Sequence, residues 1–358
     1  MSIWGIHNTT IPHGELLGDG STGFVSVGFD STPDLQTCEA SPEAFAEAVT
    51  QAYPQARPAV VTDRADQLYC FVHAMAPGDV VIAPDPTTRT LSFGRVAGPY
   101  YYESEAPEHR HRVAVRWRRT GVARSVFSRD LLDEIDARST FFQVTLSAPE
   151  IEAFLSAPTQ EAFVDQRRAA QESSADQGQD SAWDAQEARS PFPDAECIEQ
   201  RTLDVIAERL VHGISRSEFT ALIADLLHAM GYHTRPCYRP GEGAVDLLAH
   251  RDALGLEGPA TKVRCLHTNI SAGCPEAQAL LGAMVAGERG LLVTLGSWTS
   301  QAAALEAENP GLRLLGGAEV TDLFLAHYDR LPARWHSLVP LRPVLALESE
   351  DAEAQDAQ

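Results

Sequence analysis

Asp246 has the setting in this sequence that is most typical of a catalytic carboxylate. It follows a glycine-containing turn, residues 241–244, and begins an apolar run that continues to Ala249. Such a turn delivers a carboxylate to the start of a predicted β-strand, where its oxygens could hold Mg²⁺. Glu242 and Glu218 are the nearby acids that could complete a metal site. An aspartate in this position can equally close the turn by hydrogen bonding, so both interpretations remain open.

The next predicted strand, residues 262–267, contains the basic residues that could lie beside that carboxylate. A metal-dependent nuclease needs at least two oxygen ligands for the metal and a positive group beside the attacked phosphate. Because side chains alternate along a strand, Lys262, Arg264 and Leu266 share one face. Arginine binds a phosphate well but repels a metal ion. Asp246 with Arg264 therefore indicates a groove that holds a nucleic-acid backbone rather than one that cuts it.

A second group of cations lies far upstream of these residues. Between His109 and Arg129 the sequence has seven arginines and no acid, and such a local field can hold phosphates. The net charge of −22 hides this field, because residues 161–200 and 348–358 together carry 12 of the excess negative charges. A solvated basic face that balances the acidic segments is the alternative. Five arginines are predicted to contact the DNA backbone: Arg110, Arg112, Arg116, Arg118 and Arg119.

Helices and strands alternate in the C-terminal half, which predicts an α/β fold. The clearest helix is 217–231, where Phe219, Leu222, Ile223, Leu226, Leu227 and Met230 form one apolar stripe. The apolar runs predict strands at 245–250, 262–267, 290–295 and 312–315. The periodic segments predict helices at 197–212, 275–286, 300–308 and 318–327.

The N-terminal part has a different pattern, with short β-favouring runs separated by Gly and Pro. Such spacing predicts a small β-barrel. One helix, 42–52, interrupts it, with Ser41 as the predicted N-cap. The predicted strands include the runs 24–29, 67–72, 79–82, 91–96 and 112–117.

Four segments follow from these patterns. Residues 1–146 form the predicted N-terminal domain and 197–347 the C-terminal α/β domain. Residues 147–196 are rich in Gln, Ser, Asp and Glu and are predicted to be an acidic linker, flexible in its centre. Residues 348–358 are predicted to be an acidic disordered tail. The six cysteines lack Cys-x-x-Cys spacing, which argues against a zinc module or a disulfide framework. A cytoplasmic protein without a membrane span is expected.

The C-terminal motifs resemble the Mrr-like restriction endonuclease family. The matching segments are Met230-Gly231-Tyr232, 242–246 and 250–256. The resemblance implies a PD-(D/E)xK nuclease core, Mg²⁺ as cofactor when active, and Asp246 as a metal ligand. The family's Gln-x-Lys element falls on Arg264-Cys265-Leu266, and its helix glutamate falls on Thr220. The resemblance therefore implies a degenerate catalytic centre in which Arg264, Glu242 and Glu218 are the remaining polar candidates beside Asp246.

The N-terminal domain resembles the PUA/EVE-like domains that are often fused to such nucleases. The segments that carry this resemblance are Trp4–Asn8, Gly23–Asp30, Pro77–Asp79 and Gly94–Val96, together with Tyr69 and Phe71. Domains of this superfamily enclose a flipped base between aromatic walls. The resemblance implies a base pocket, with the aromatic residues as barrel core in the alternative interpretation. Its predicted lining is Trp4, Phe29, Asp30, Tyr69 and Arg95.

Three functions are compatible with these motifs. The first is a DNA-binding protein that recognises modified DNA, methylated DNA being one case, and whose nuclease centre gives weak or no cleavage. The second is an active Mg²⁺-dependent type IV restriction endonuclease that cuts methylated DNA. The third is an RNA-binding protein, because PUA-like barrels also bind RNA. A homodimer is compatible with each of them.

Overall fold

The computed structural model describes residues 1–7, 11–18, 21–136, 140–175, 195–237, 245–256 and 258–346. It divides into two compact units. Unit 1 contains residues 1–122 and 127–163, and unit 2 contains residues 123–126 together with the chain from Val164 onward. Glu242, the linker centre 176–194 and the predicted tail 348–358 lie outside the described residues.

Unit 1 is built on a six-stranded sheet. Its strands are β1 (Ile3–Ile6), β2 (Thr22–Val27), β3 (Val80–Asp85), β4 (Thr90–Tyr102), β5 (His111–Ala123) and β6 (Phe141–Gln143). They are ordered β2-β5-β4-β3-β1-β6. β1 and β3 are parallel, whereas β3–β4, β2–β5 and β1–β6 are antiparallel. The helices assigned wholly to this unit are α1 (His13–Leu17), α2 (Pro42–Ala52), α3 (Pro58–Tyr69), α4 (Arg129–Ile135) and α5 (Ala148–Ser156).

The predicted closed barrel is wrong for the described strands, because the sheet is open and ends at β2 and β6. One predicted strand, 67–72, is helical: it lies at the end of α3 and in the π-helical turn Cys70–Ala74. Val61, Ala65 and Leu68 are buried at spacings of four and three residues. This helical periodicity outweighs the β-propensity of the tyrosine, phenylalanine and valine at its end. The chain between β2 and β3 therefore supplies helices rather than a strand that could close the barrel.

Helix α2 confirms the prediction for residues 42–52. The Ser41 side chain accepts a hydrogen bond from the Ala44 N–H, so it is the N-cap. Proline in the first turn costs nothing because that N–H has no helical partner. Phe45, Ala48 and Val49 are the buried face of the helix and pack into the core of unit 1.

The predicted linker is wrong over residues 148–175, which form α5 and the helix α6 (Gln160–Ala175). Ile151, Phe154 and Phe163 are buried. The Phe154 ring lies 4.9 Å from the Phe93 ring and 5.2 Å from the Phe163 ring, centroid to centroid. The many polar residues of this region concealed Ile151 and Phe154, which are at helical spacing on α5, and Phe163 on α6; these side chains pack the segment into the core.

Unit 2 contains a five-stranded mixed sheet between helices. Its strands are β7 (His233–Pro236), β8 (Leu247–His250), β9 (Thr261–Leu266), β10 (Arg289–Thr294) and β11 (Leu312–Leu315). They are ordered β11-β10-β9-β8-β7, and β9, β10 and β11 are parallel while β7 and β8 are antiparallel to their neighbours. The helices are α7 (Ala195–His212), α8 (Arg216–Ala229), α9 (Cys274–Ala283), α10 (Ser300–Glu308), α11 (Gly317–Ala326) and α12 (Ala333–Leu338).

Helix α8 carries the predicted apolar stripe. Phe219, Leu222, Ile223, Leu226 and Leu227 are buried in one cluster with the inner residues of β8 and β9. Alternate residues of β9 serve opposite faces of the sheet, so the Val263 and Cys265 side chains join that cluster, whereas Leu266 packs with α9 and α10 on the other face. Among the helices in the described ranges, none combines the length and the apolar character needed to cross a bilayer.

Candidate functional site

Asp246 lies immediately before β8, at the edge of the sheet where the parallel strands β9 and β10 end. One carboxylate oxygen, Oδ2, accepts a hydrogen bond of 2.7 Å from the Cys265 N–H. Its backbone N–H donates to Val263 O, and its carbonyl accepts from the Cys237 N–H. The side chain thus extends the hydrogen-bond ladder between β8 and β9 by one position. This is a structural role of the kind expected for an aspartate that closes a turn.

Arg264 and Leu266 lie on the strand beside Asp246. The register pairs Leu247 with Val263, and the Asp246 carboxylate binds the Cys265 N–H, so Asp246 lies beside Arg264 and Cys265 of β9. The Nε atom of Arg264 is buried and has no hydrogen-bond partner among the described residues. Leu266 packs against the apolar cluster of α9 and α10. Leu266, which the sequence comparison predicts to stand at the family's lysine position, is thus a partly buried apolar side chain.

The acids on the helix side of the site are not arranged for a metal. Glu218 is exposed and forms a capping box with Ser215, in which its Oε2 accepts from the Ser215 N–H at 2.8 Å. These hydrogen bonds lower the pKa of the Glu218 carboxyl. Thr220 is turned towards the thiol of Cys265, which is buried with a pKa raised to about 12, first by burial and then by Asp246. Glu242, the other predicted candidate, lies outside the described residues.

The lysine Lys262 is engaged away from the carboxylate. Its Nζ donates to Ala283 O at 2.6 Å and forms an ion pair of 2.7 Å with Glu288. It therefore anchors the end of α9 to β9. In the sequence it lies four residues before the position predicted for a catalytic lysine. Its contacts with Ala283 and Glu288 indicate a structural role instead.

The described residues do not fit a bound divalent cation. Asp246 supplies one carboxylate, Glu218 caps a helix, and Arg264 brings a positive charge to the strand beside Asp246. In the part of the chain that the structure describes, no three His, Cys, Asp or Glu side chains are grouped to hold a metal. Mg²⁺ keeps its water unless several oxygen ligands replace it.

Four of the five predicted phosphate-binding arginines lie on β5, and Arg110 immediately precedes that strand. His111, Val113, Val115 and Trp117 are buried, and the side chains between them form the outer face of the strand. Arg116 and Arg118 are exposed there, and Arg112 lies 4.1 Å over the Phe24 ring. Arg110 and Arg112 also donate through Nε to the carbonyls of Ala106 and His109. We call Arg112, Arg116 and Arg118 the arginine stripe.

Arg119 differs from the arginine stripe. Its guanidinium lies 4.5 Å from the Phe154 ring centroid and donates to Ala157 O. Burial lowers its pKa. Arg119 therefore joins β5 to α5, and its substitution would disturb the fold as well as the surface charge.

The residues predicted to line a base pocket are distributed over the N-terminal unit. Trp4 is buried, stacks on Phe141 at 4.9 Å and donates through Nε1 to Asp79. Phe29 and Tyr69 pack partly buried against the same core cluster. Asp30 accepts from the backbone N–H groups of residues 109 and 110. Arg95 donates to Gly78 O and contacts Met1. Three aromatic residues thus belong to the core, while Asp30 and Arg95 fix loops.

Sequence reasoning missed a cavity of about 220 Å³ in unit 2. It lies beside the end of β9 but on the α7 side of the sheet. Arg167 and Arg168 sit in the segment that the sequence assigned to a linker, which is why they were not selected. The signal that could have found them is their position three and four residues after Val164, the spacing that places side chains on one face of a helix. The polar and charged lining residues are Ser125, Arg167, Arg168, His212, His267, Thr268 and Asn269.

Comparison with known proteins assigns relatives to both halves of the chain. Residues 211–324 match a family model described as a restriction endonuclease (Mrr_cat), and residues 20–144 match a domain of unknown function (DUF8426). A type IV methyl-directed restriction enzyme of Escherichia coli strain K12, EcoKMrr, is 30% identical over 129 residues. That match covers 34% of this chain and 41% of the relative, so the chain spans about two fifths of the length of that enzyme.

Two solved structures also resemble the chain in part. The MspJI restriction endonuclease in complex with a 27-mer oligonucleotide is 14% identical with a TM-score of 0.28, covering 81% of this chain and 71% of MspJI. The DNA modification-dependent restriction endonuclease AspBHI is 14% identical with a TM-score of 0.27, covering 94% of this chain and 84% of AspBHI. The family model makes residues 211–324 similar to Mrr-like restriction endonucleases, which is the relationship that the C-terminal motifs predict.

Proposed function

We propose that this protein binds DNA, with modified DNA as its target, and that its nuclease centre gives weak or no cleavage. The observation that carries the second part is Leu266, which packs into the core where a metal-dependent nuclease of this family would present a lysine. A cation beside the attacked phosphate stabilises charge in the transition state, and losing such a group costs on the order of 10²- to 10³-fold in rate. If the protein does cleave DNA, we propose Mg²⁺ as its cofactor; for binding alone we propose none.

The proposal that the ligand is DNA is supported by the similarity of residues 211–324 to a restriction endonuclease. It is also supported by the arginine stripe, which gives unit 1 an exposed basic face despite the acidic composition of the whole chain. Arg264, with a buried Nε that lacks a protein partner among the described residues, is proposed as a phosphate contact in unit 2. The N-terminal unit is proposed to be a PUA/EVE-like reader of the modified base.

The decisive test scores binding and cleavage separately. Full-length protein would be incubated with plain and cytosine-methylated duplexes, each with EDTA, Mg²⁺ or Mn²⁺. The expected result is a shifted band without metal, stronger on one modified duplex, and no metal-dependent product. Robust cutting that disappears in Asp246→Asn would establish the active endonuclease instead. Binding of single-stranded RNA in preference to every duplex would support an RNA-binding protein.

The arginine stripe gives a second prediction. Replacing Arg116 and Arg118 with glutamine should weaken duplex binding at low salt and reduce the slope of log K against log[salt] by about 1.8, because each lost phosphate contact removes about 0.9. Filter binding across a salt series measures this slope. The matched control replaces Arg57 and Arg342, two exposed arginines that are not part of the stripe, with glutamine. An equal change in both double variants would show that only overall charge matters.

A further inference from the structure

The cavity in unit 2 is lined by five separate parts of the chain. The segment 124–126 is fixed to α7 because Arg124 forms an ion pair of 2.8 Å with Asp204, both largely buried. Asn269, just after β9, donates to Ser125 O. Arg167 of α6 donates to Val126 O. These contacts hold the walls of the cavity in place independently of any ligand.

The electrostatic character of the cavity is positive. Arg167 and Arg168 line it, and none of its lining residues is an aspartate or a glutamate. The pKa of His212 is lowered by burial, and Arg167, His267 and Arg168 lower it further, while Glu208 outside the lining opposes them. Because a carbonyl can only accept, the His267 Nε2 that contacts Leu210 O carries its proton and is a donor. The cavity therefore favours an anion.

One polar atom in the wall lacks a protein partner. The Ser125 hydroxyl oxygen is buried and has no hydrogen-bond partner in the described ranges. A buried hydroxyl without a partner is unfavourable in proteins, so a ligand oxygen would supply the hydrogen bond that this hydroxyl lacks among the described residues. The volume also limits the ligand. The cavity volume is several times the ~30 Å³ that one water occupies, but it is smaller than the ~300–1,000 Å³ of pockets that bind drug-sized molecules.

We propose that this cavity binds a phosphate group, a monoester or a diester, through Arg167, Arg168 and the Ser125 hydroxyl. Guanidinium groups match phosphate oxygens in geometry as well as charge. Two sources share this chemistry: a free mononucleotide, and a backbone phosphate of bound DNA. Only the DNA source rests on the proposed function. Neither Asp246 nor Arg264 lines this cavity, so the two sites are distinct.

Calorimetric titration of the full-length protein with inorganic phosphate, at neutral pH and against chloride of equal ionic strength, tests the proposal. Phosphate should bind saturably. Arg168→Gln should weaken that binding roughly 10- to 100-fold, as expected for one charge-assisted hydrogen bond. The matched control Arg342→Gln removes an exposed arginine outside the cavity and should leave the affinity unchanged. Absence of saturable binding, or equal loss in both variants, would overturn the proposal.

Ser125→Ala keeps the test valid if an arginine variant is unstable. The variant should be no less stable than the native chain without phosphate, because it removes a buried unpaired hydroxyl, yet phosphate should raise its Tm less. A Tm rise of native size would contradict the role given to Ser125. The source follows from two further titrations. Tighter binding of deoxyadenosine 5′-monophosphate than of phosphate identifies a free nucleotide, whereas a DNA salt slope reduced by about 0.9 in Arg168→Gln identifies a backbone phosphate.

Discussion

The triple variant Leu266→Lys, Arg264→Gln and Thr220→Glu is expected to cut duplex DNA in the presence of Mg²⁺, at a rate about 10²- to 10³-fold above any residual cutting by the native chain. A lysine in place of Leu266 would put an ammonium on the strand beside Asp246, and its apolar stem could remain against the cluster of α9 and α10. A glutamate in place of Thr220 would bring a second carboxylate to Cys265, the residue whose N–H already binds Asp246. Removing Arg264 would remove the charge that repels the metal.

Two readouts separate chemistry from folding in this experiment. Mg²⁺ should raise the Tm of the triple variant and not that of the native chain, because only the variant gains oxygen ligands. Asp246→Asn in the triple background should abolish cutting. The control Leu266→Met preserves an apolar side chain of similar volume and should remain as inactive as the native chain. A triple variant that is folded, binds DNA and never cuts would show that this scaffold does not place the three positions around one phosphate.

Phe154→Ala should lower the free energy of unfolding of unit 1 by about 3–5 kcal/mol, the usual loss for a buried phenylalanine. The Phe154 ring is buried among Phe93, Phe127 and Phe163, and the Arg119 guanidinium covers it. Its loss removes ring contacts and leaves a cavity that rigid strands cannot close. Chemical denaturation followed by circular dichroism measures the change.

Glu152→Ala provides the matched control on the same helix. Glu152 is exposed, so its substitution should change stability by no more than about 0.5 kcal/mol. If Phe154→Ala were as stable as the control, residues 148–156 would be a linker as their composition suggests, and the packing of α5 on the sheet would be wrong. The comparison therefore tests the largest difference between the sequence-based and the structural description.

The C-terminal elements were predictable because their periodicity is strong and their ends carry clear signals. Helix α10 and strand β11 have the bounds that the sequence predicts, 300–308 and 312–315. Thr299 caps α10 by accepting from the Ala302 N–H. In the N-terminal unit the same reasoning failed at 67–72, where β-favouring residues end a helix whose buried face only tertiary packing reveals.

The candidate site was predictable only in part. A turn followed by an apolar run places Asp246 at a strand start, and alternation places Arg264 and Leu266 on one face. The bond from the Cys265 N–H to Asp246 depends on the register between two strands, which local sequence does not encode. The phosphate cavity joins residues from positions 125, 167, 212 and 267, so no window of sequence contains it.

The hydrogen bond between Asp246 and the Cys265 N–H has a consequence for how such a chain changes over generations. An aspartate that completes a sheet is retained by selection for folding, whether or not the chain still cuts DNA. Leu266 and Thr220 make no comparable contact that the sheet depends on. An apolar side chain fits the surroundings of Leu266, and a small hydroxyl fits those of Thr220. Once cutting ceases to be selected, a catalytic lysine and glutamate in such positions can be lost early, while the aspartate persists. The presence of this aspartate in a relative is therefore poor evidence of activity, and the lysine position is the informative one.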